Sequence, residues 1–255
     1  MIENWLRPLG ETGLVVSAIG AGGGPLGSMP ENFGRDVAAD EGVATVRRIL
    51  AGPITFLDTS NGYSDGDSER RIGTALAEMG GLPDGFVLAT KVDPGEDGSF
   101  DSARVRRSFE ESIDRLGLDR IQVLFLHDPE FALTFDEAMA PRGPVAELRR
   151  LKDEGLAGVI GVAGGDIAMM RRFVETGAFD VLLTHSRYSL VDRSAEETIG
   201  VARERGVAVV NAAVLGGSIL AVGTSGSTRY GYRQASPDTL AAIDAIEDVC
   251  RRVDI

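Results

Sequence analysis

The chain has 255 residues, 43% of them hydrophobic and 25% charged, an ordinary globular composition that excludes disordered and fibrous classes. A formal net charge of −13 argues against nucleic acid and anionic membranes as partners, and no apolar stretch approaches membrane-spanning length. The single cysteine, Cys250, leaves no internal disulfide and, with no basic and apolar leader before the polar start MIENW, points to a cytoplasmic protein.

In chain order, a small hairpin is expected first, with WLRPL and LVVS flanking the turn Gly10-Glu11-Thr12-Gly13. Strand-like runs follow at SAIGAGG, ITFLDTS, FVLATKV, IQVLFLHD, GVIGVAGG, DVLLTHSRYS and GVAVVNAAV, seven in all. Segments of helical period separate them, including SERRIGTALAEM, for which Ser68 is a candidate N-cap, and SARVRRSFEESIDRLG. This alternation predicts a parallel sheet with helical crossovers, and the placement of chemistry at strand ends favours one (β/α) barrel domain, residues 1–255, over a doubly wound sheet. No Gly-x-Gly-x-x-Gly turn supports a Rossmann reading. After an amphipathic pattern at Leu240, Ile243, Ile246 and Val249 no eighth strand follows, so either the barrel is open or its edge is closed by something outside this chain or by an irregular segment. The unpaired edges of an open barrel call for a homo-oligomer interface or for local disorder around residues 217–236.

Asp58, Lys91 and His127 each end a strand-like run, and Tyr63 follows the first of these in a Gly-flanked loop. Taken singly, each has a bland explanation: a structural salt bridge, a packing residue or a satisfied core histidine. Together they can deliver a proton to a carbonyl oxygen. A tyrosine of ordinary pKa, about 10, is a poor donor near neutrality. An ammonium beside it favours the phenolate, which is the role assigned to Lys91; Asp58 keeps that lysine charged and placed. His127 can donate a hydrogen bond to the carbonyl oxygen. Glu69, Arg70 and Arg71 read as a charged helix face, and Trp5 as core, whereas Phe131 and Phe135 could line a substrate mouth or fill core. Two histidines 57 positions apart and no cysteine cluster give no metal-ligand spacing.

At these residues the chain resembles the aldo/keto reductases. LDTSNGYSDGDSERRIGTAL, LATKV and LGLDRIQVLFLHDPE resemble the segments that carry that family's Asp, Tyr, Lys and His. GGPLG, HDPE, SRYSLVD and GYRQASPDTLAAIDAIEDVCRR look closest to the bacterial branch that oxidises fucose, galactose or threo-aldoses and includes pyridoxal dehydrogenases. The resemblance implies a TIM barrel of aldo/keto reductase type without its eighth βα unit, and a catalytic tetrad of Asp58, Tyr63, Lys91 and His127. It further implies NADP or NAD as cofactor, and a small carbonyl or sugar as substrate. For the nicotinamide it implies Tyr188 as the stacking ring, with His185, Gly164 and Gly165 where the family has Gln and a Ser-Asn pair. Leu215, Gly216 and Gly217 resemble the pyrophosphate loop. The absence of the adenosine-binding end leaves a second reading open, in which a degenerate or truncated barrel without turnover serves as a binding protein.

Overall fold

The computed structural model describes residues 5–254. An N-terminal hairpin, β1 (Leu6–Pro8) and β2 (Val15–Ser17), precedes seven parallel strands: β3 (Ala21–Gly22), β4 (Phe56–Asp58), β5 (Val87–Val92), β6 (Ile121–His127), β7 (Ala157–Gly164), β8 (Val181–His185) and β9 (Ala208–Ala212). They hydrogen-bond in sequence order, so the sheet curls into a nearly closed barrel whose edges, β3 and β9, are not paired with each other. The helices are α1 (Pro30–Phe33), α2 (Ala39–Leu50), α3 (Asp67–Met79), α4 (Ser102–Leu116), α5 (Phe135–Met139), α6 (Pro144–Asp153), α7 (Ile167–Glu175), α8 (Glu196–Glu204), α9 (Ile219–Val222) and α10 (Pro237–Val253). Each of the seven expected strand runs contains one of the observed parallel strands. Residues 217–236, where disorder was one expectation, carry α9 and a second small hairpin, β10 (Arg229–Tyr230) with β11 (Arg233–Gln234). No helix among the described residues is long and apolar enough to cross a membrane.

Strand alternation sorts the side chains into two cores. Leu88, Val92, Leu124, Leu126, Ile160, Val162 and Leu182 face the helices. Phe56, Val87, Ala89, Val123, Phe125, Val159, Val181 and Ala208 fill the barrel interior, where Leu9 and Val16 of the hairpin plug its N-terminal end. Gly10, at φ +55°, lets the hairpin turn approach β9, since a Cβ there would stand 2.7 Å from that of Ala208. The interior also explains Gly161: the Phe125 ring occupies the space its Cβ would need, at 2.4 Å.

α4 shows how the outer layer is specified. Val105, Phe109, Ser112 and Leu116 recur at helical spacing and are buried, the Asp101 side chain caps the Arg104 N–H at 2.9 Å, and Gly117 at φ +66° ends the helix. α3 packs on it so closely that a Cβ at Gly73 would lie 2.0 Å from the Arg115 carbonyl oxygen. Gly73→Ala is therefore expected to destabilise the fold by about 1–3 kcal/mol or more, because backbone and not a flexible side chain must move. Urea unfolding checks this, and an unchanged midpoint would refute the close helix contact.

Several expectations for the helices need correction. Ser68 is not the N-cap of α3, which begins at Asp67 behind Gly66; its buried hydroxyl donates to the Gly23 carbonyl at 2.8 Å and bonds Thr59 Oγ1. Glu69 is fully buried, bonded by Thr90 Oγ1 (2.6 Å) and Arg115 (3.2 Å), and burial pushes its carboxyl up. Arg71 turns inward to the carbonyls of Leu26 and Val37. Of the α10 stripe only Ile243 is fully buried. Trp5 is half-buried, its indole N–H donating to the Pro53 carbonyl at 2.7 Å.

Candidate active site

Asp58, Lys91 and His127 have the same parity as the interior residues of β4, β5 and β6, so they form the top layer of the barrel filling, at the C-terminal ends of the strands. Tyr63, in the turn after β4, leans back over them. Lys91 is 1% exposed and donates three hydrogen bonds: to Asp58 Oδ2 at 2.8 Å, to the Thr59 carbonyl at 2.6 Å and to the Tyr63 hydroxyl at 3.1 Å. An ammonium has three protons, and all are used. The Tyr63 oxygen accepts from Lys91 and so keeps its own proton for another acceptor.

Electrostatics refine the expected role of the lysine. Burial pushes the Tyr63 phenol up, to about 12, further than the Lys91 charge draws it down, and the Asp58 charge adds to the rise. Burial works against the Lys91 ammonium too, but the charges and hydrogen bonds of Asp58 and Tyr63 hold its pKa above the ordinary lysine value. Lys91 is thus a permanent cation that orients the phenol, and the phenol is protonated at neutral pH.

His127 lies on the far side of Tyr63, their rings edge to face with centroids 5.6 Å apart. Its Nδ1 is 2.6 Å from Asp93 Oδ1, a residue the sequence reading passed over. The signal was present: Asp93 follows Lys91 by two positions and therefore shares its face.

The expected cofactor contacts divide. The Gly165 N–H donates to Glu130 Oε1 at 2.6 Å, and its carbonyl accepts from Arg187 Nε at 3.0 Å and keeps a second lone pair. Both glycines are explained by packing: a Cβ at Gly165 would meet the His185 ring at 2.9 Å, and one at Gly164 would meet Glu130 and Met170 at 2.7 Å. His185 places Nε2 3.3 Å from Asp128 Oδ1. Asp128, Glu130 and His185 bring ligand-type atoms within 4.8 Å of one another; Glu130 Oε1 accepts from the Gly165 and Asp166 N–H groups, while its Oε2 is buried without a partner. Tyr188 is half-buried, with the Arg193 guanidinium 5.7 Å from its ring centroid.

After β9, Ala213, Gly216, Gly217 and Ser218 all have positive φ, from 53° to 90°, which makes a tight exposed turn at Val214 and Leu215. A turn in which positive and negative φ alternate can aim backbone N–H groups at an anion, although the Gly216 N–H here donates to the Ala213 carbonyl at 2.9 Å. Nearby, the Ser186 hydroxyl is buried without a partner. These features fit a phosphate-bearing cofactor over the ends of β8 and β9.

The mouth is closed partly by residues that the sequence did not suggest. Tyr230 pins the β10–β11 hairpin to the loop after β8 through Ser189 Oγ at 2.7 Å, while Tyr232 reaches Phe33, at the end of α1, edge to face at 5.6 Å. That contact crosses the side on which β3 and β9 are unpaired. Phe131 is 75% exposed, whereas Phe135 packs on Phe173 at 4.9 Å. A separate outer cleft of about 470 Å³ between α2 and α3, lined by Asp40, Arg47, Asp67, Arg70 and Arg71 among others, holds none of the four residues.

Residues 18–255 match the family model described as Aldo/keto reductase family. The chain is similar to L-galactose dehydrogenase of Arabidopsis thaliana, at 34% identity over 96% of this chain and 75% of that protein. It is similar to pyridoxal 4-dehydrogenase of Microbacterium luteolum at 28% identity, over 96% of this chain and 80% of the relative. Among solved structures it superimposes on the holo form of an aldo-keto reductase from Bacillus halodurans with a TM-score of 0.67 and 26% identity, over 81% of this chain and 65% of the other.

Proposed function

The chain belongs to the aldo/keto reductase family, and on that premise we propose that it is an oxidoreductase that interconverts a small polar carbonyl or a sugar hemiacetal with its alcohol or lactone. The observation that carries this reading is the triple bonding of Lys91, which leaves the Tyr63 hydroxyl as a protonated donor whose oxygen is already held from behind. A nicotinamide cofactor, NADP or NAD, would supply or take up the hydride. Tyr63 gives its proton to the oxygen of the carbonyl in reduction and takes one back in oxidation. His127 offers Nε2 to the same oxygen and fixes which face of the carbonyl is presented. Asp58 keeps Lys91 in place. The turn at Leu215, Gly216 and Gly217 would hold the pyrophosphate and Tyr188 would stack on the nicotinamide; His185 would flank it. The relatives' names, one for a sugar and one for pyridoxal, support a small polar substrate.

A fluorescence titration with NADPH and with NADH tests the first requirement, and saturable micromolar binding of either is expected. Turnover on a panel of aldoses and pyridoxal then tests the second. Absence of saturable binding would sink the enzyme reading in favour of a barrel that binds without turnover.

A further inference from the structure

Asp93 and His127 meet because of strand register. β5 and β6 pair with Lys91 opposite Phe125 and Val92 opposite Leu126, so one step further sets Asp93 level with His127. Asp93 Oδ1 bonds His127 Nδ1 at 2.6 Å, while Oδ2 accepts the Gly62 N–H at 2.7 Å and the Ser60 hydroxyl. Ser60 Oγ also lies 3.0 Å from the same ring nitrogen. An ionised carboxylate can only accept, so Nδ1 carries a proton. Nε2 then has two states. In the neutral ring it is a lone pair facing the substrate oxygen, and in the cation it is an N–H. Only the cation can donate to a carbonyl.

We infer that Asp93 is a positioning residue for the reaction: by binding Nδ1 it orients the His127 ring and sustains its doubly protonated form, which keeps Nε2–H available to the carbonyl oxygen. This rests on the oxidoreductase reading of the same site. The surrounding charges agree with it. Asp128 Oδ2 stands 3.8 Å from Nε2 and also favours the cation, while Lys91 on β5 opposes it; Tyr63 meets the ring edge on, and His185 on β8 faces it across Asp128. Burial disfavours the cation, yet the Asp93 charge and hydrogen bond outweigh it and raise His127 above the ordinary histidine value. Burial likewise opposes the Asp93 anion, but the imidazolium, Ser60 and the Gly62 N–H hold its carboxyl at about 2. Because the histidine is raised, the donor form is present at low pH and is lost as pH rises through its folded pKa.

Asp93 also ties down Ser60 and Gly62, so loss of activity alone would not separate positioning from loop support. The protonation of His127 does. The chain has two histidines, so an NMR titration of their ring C–H signals, assigned with His185→Gln, follows His127 directly. In Asp93→Asn its pKa is expected to fall by about 1–3 pH units, the scale of a nearby opposite charge. The alkaline limb of kcat/KM for carbonyl reduction should move with it. An unmoved His127 titration overturns the proposal, as does a limb that stays put while His127 shifts. Should Asp93→Asn not fold, the imidazole ¹⁵N spectrum of the wild-type protein at pH 6.5 decides. Two protonated nitrogens are expected, and a bare Nδ1 would overturn the proposal. If no carbonyl is reduced at all, it is the oxidoreductase reading that fails, and the NMR titration still shows whether Asp93 sets the charge of His127.

Discussion

Tyr63→Phe is expected to leave NAD(P)H affinity nearly unchanged and to cut turnover by roughly 10²-fold or more, the usual scale for a positioned acid–base group. The substitution removes one oxygen and leaves the ring, so its contacts with His127 and Lys91 survive: the edge-to-face stack at 5.6 Å and the ammonium 4.5 Å from the ring centroid. Lys91 loses one of three acceptors but keeps Asp58 and the Thr59 carbonyl. Of the other three residues only His127 has a proton facing the carbonyl oxygen, and that N–H is assigned to orienting the substrate. Lys91 is spent on its bonds and Asp58 is an acceptor. Stopped-flow single turnover with a bound reduced cofactor separates chemistry from release. A variant with most of the wild-type rate would place the proton donor elsewhere.

A larger effect on the fold is expected from Lys91→Met. The pair is buried, with Lys91 at 1% and Asp58 at 15% side-chain exposure, and Asp58 Oδ1 is already without a partner. Removing the ammonium leaves the whole carboxylate uncompensated, which costs about 3–5 kcal/mol where a buried pair is broken from one side. Turnover should also fall by roughly 10²-fold or more, because the phenol loses its anchor. The double variant Lys91→Met with Asp58→Leu separates the two roles. It is expected to recover most of the lost stability, since an apolar pair carries no desolvation cost, and none of the activity. Urea denaturation with an unchanged slope measures the first and steady-state kinetics the second. Equal stability of Lys91→Met and the wild type would show that the pair is not buried as described.

The legible parts of the molecule were those written in a short period. Strand alternation places residues two apart on one face, so Asp58, Lys91 and His127 at the ends of three successive runs had to meet if those runs paired in order, and they do. The parts that were not legible depend on contacts between distant segments. Glu69 reads as a surface charge until Thr90 and Arg115 are brought to it across α3, β5 and α4. Gly164 and Gly165 are required by side chains distant in the sequence, Glu130 in the turn after β6 and His185 at the end of β8. The β10–β11 hairpin has strands of two residues each, too short for any pattern, and its position is set by Tyr230 and Tyr232. Asp93 lies between these cases, predictable by parity but visible only once the register with β6 is known.

The hairpin that plugs the base of the barrel has a consequence for how the chain is made. Leu9 and Val16 are buried in one cluster with Val181 and Ala208, and Gly10 is shaped to fit against Ala208, nearly two hundred positions later. A ribosome adding about 5–20 residues per second would release the first of these segments roughly 10–40 s before the last. Throughout that interval the plug has no socket. The hairpin residues must therefore wait, with their apolar side chains uncovered, for β8 and β9 to emerge, so this segment of the nascent chain needs chaperone shelter over that interval.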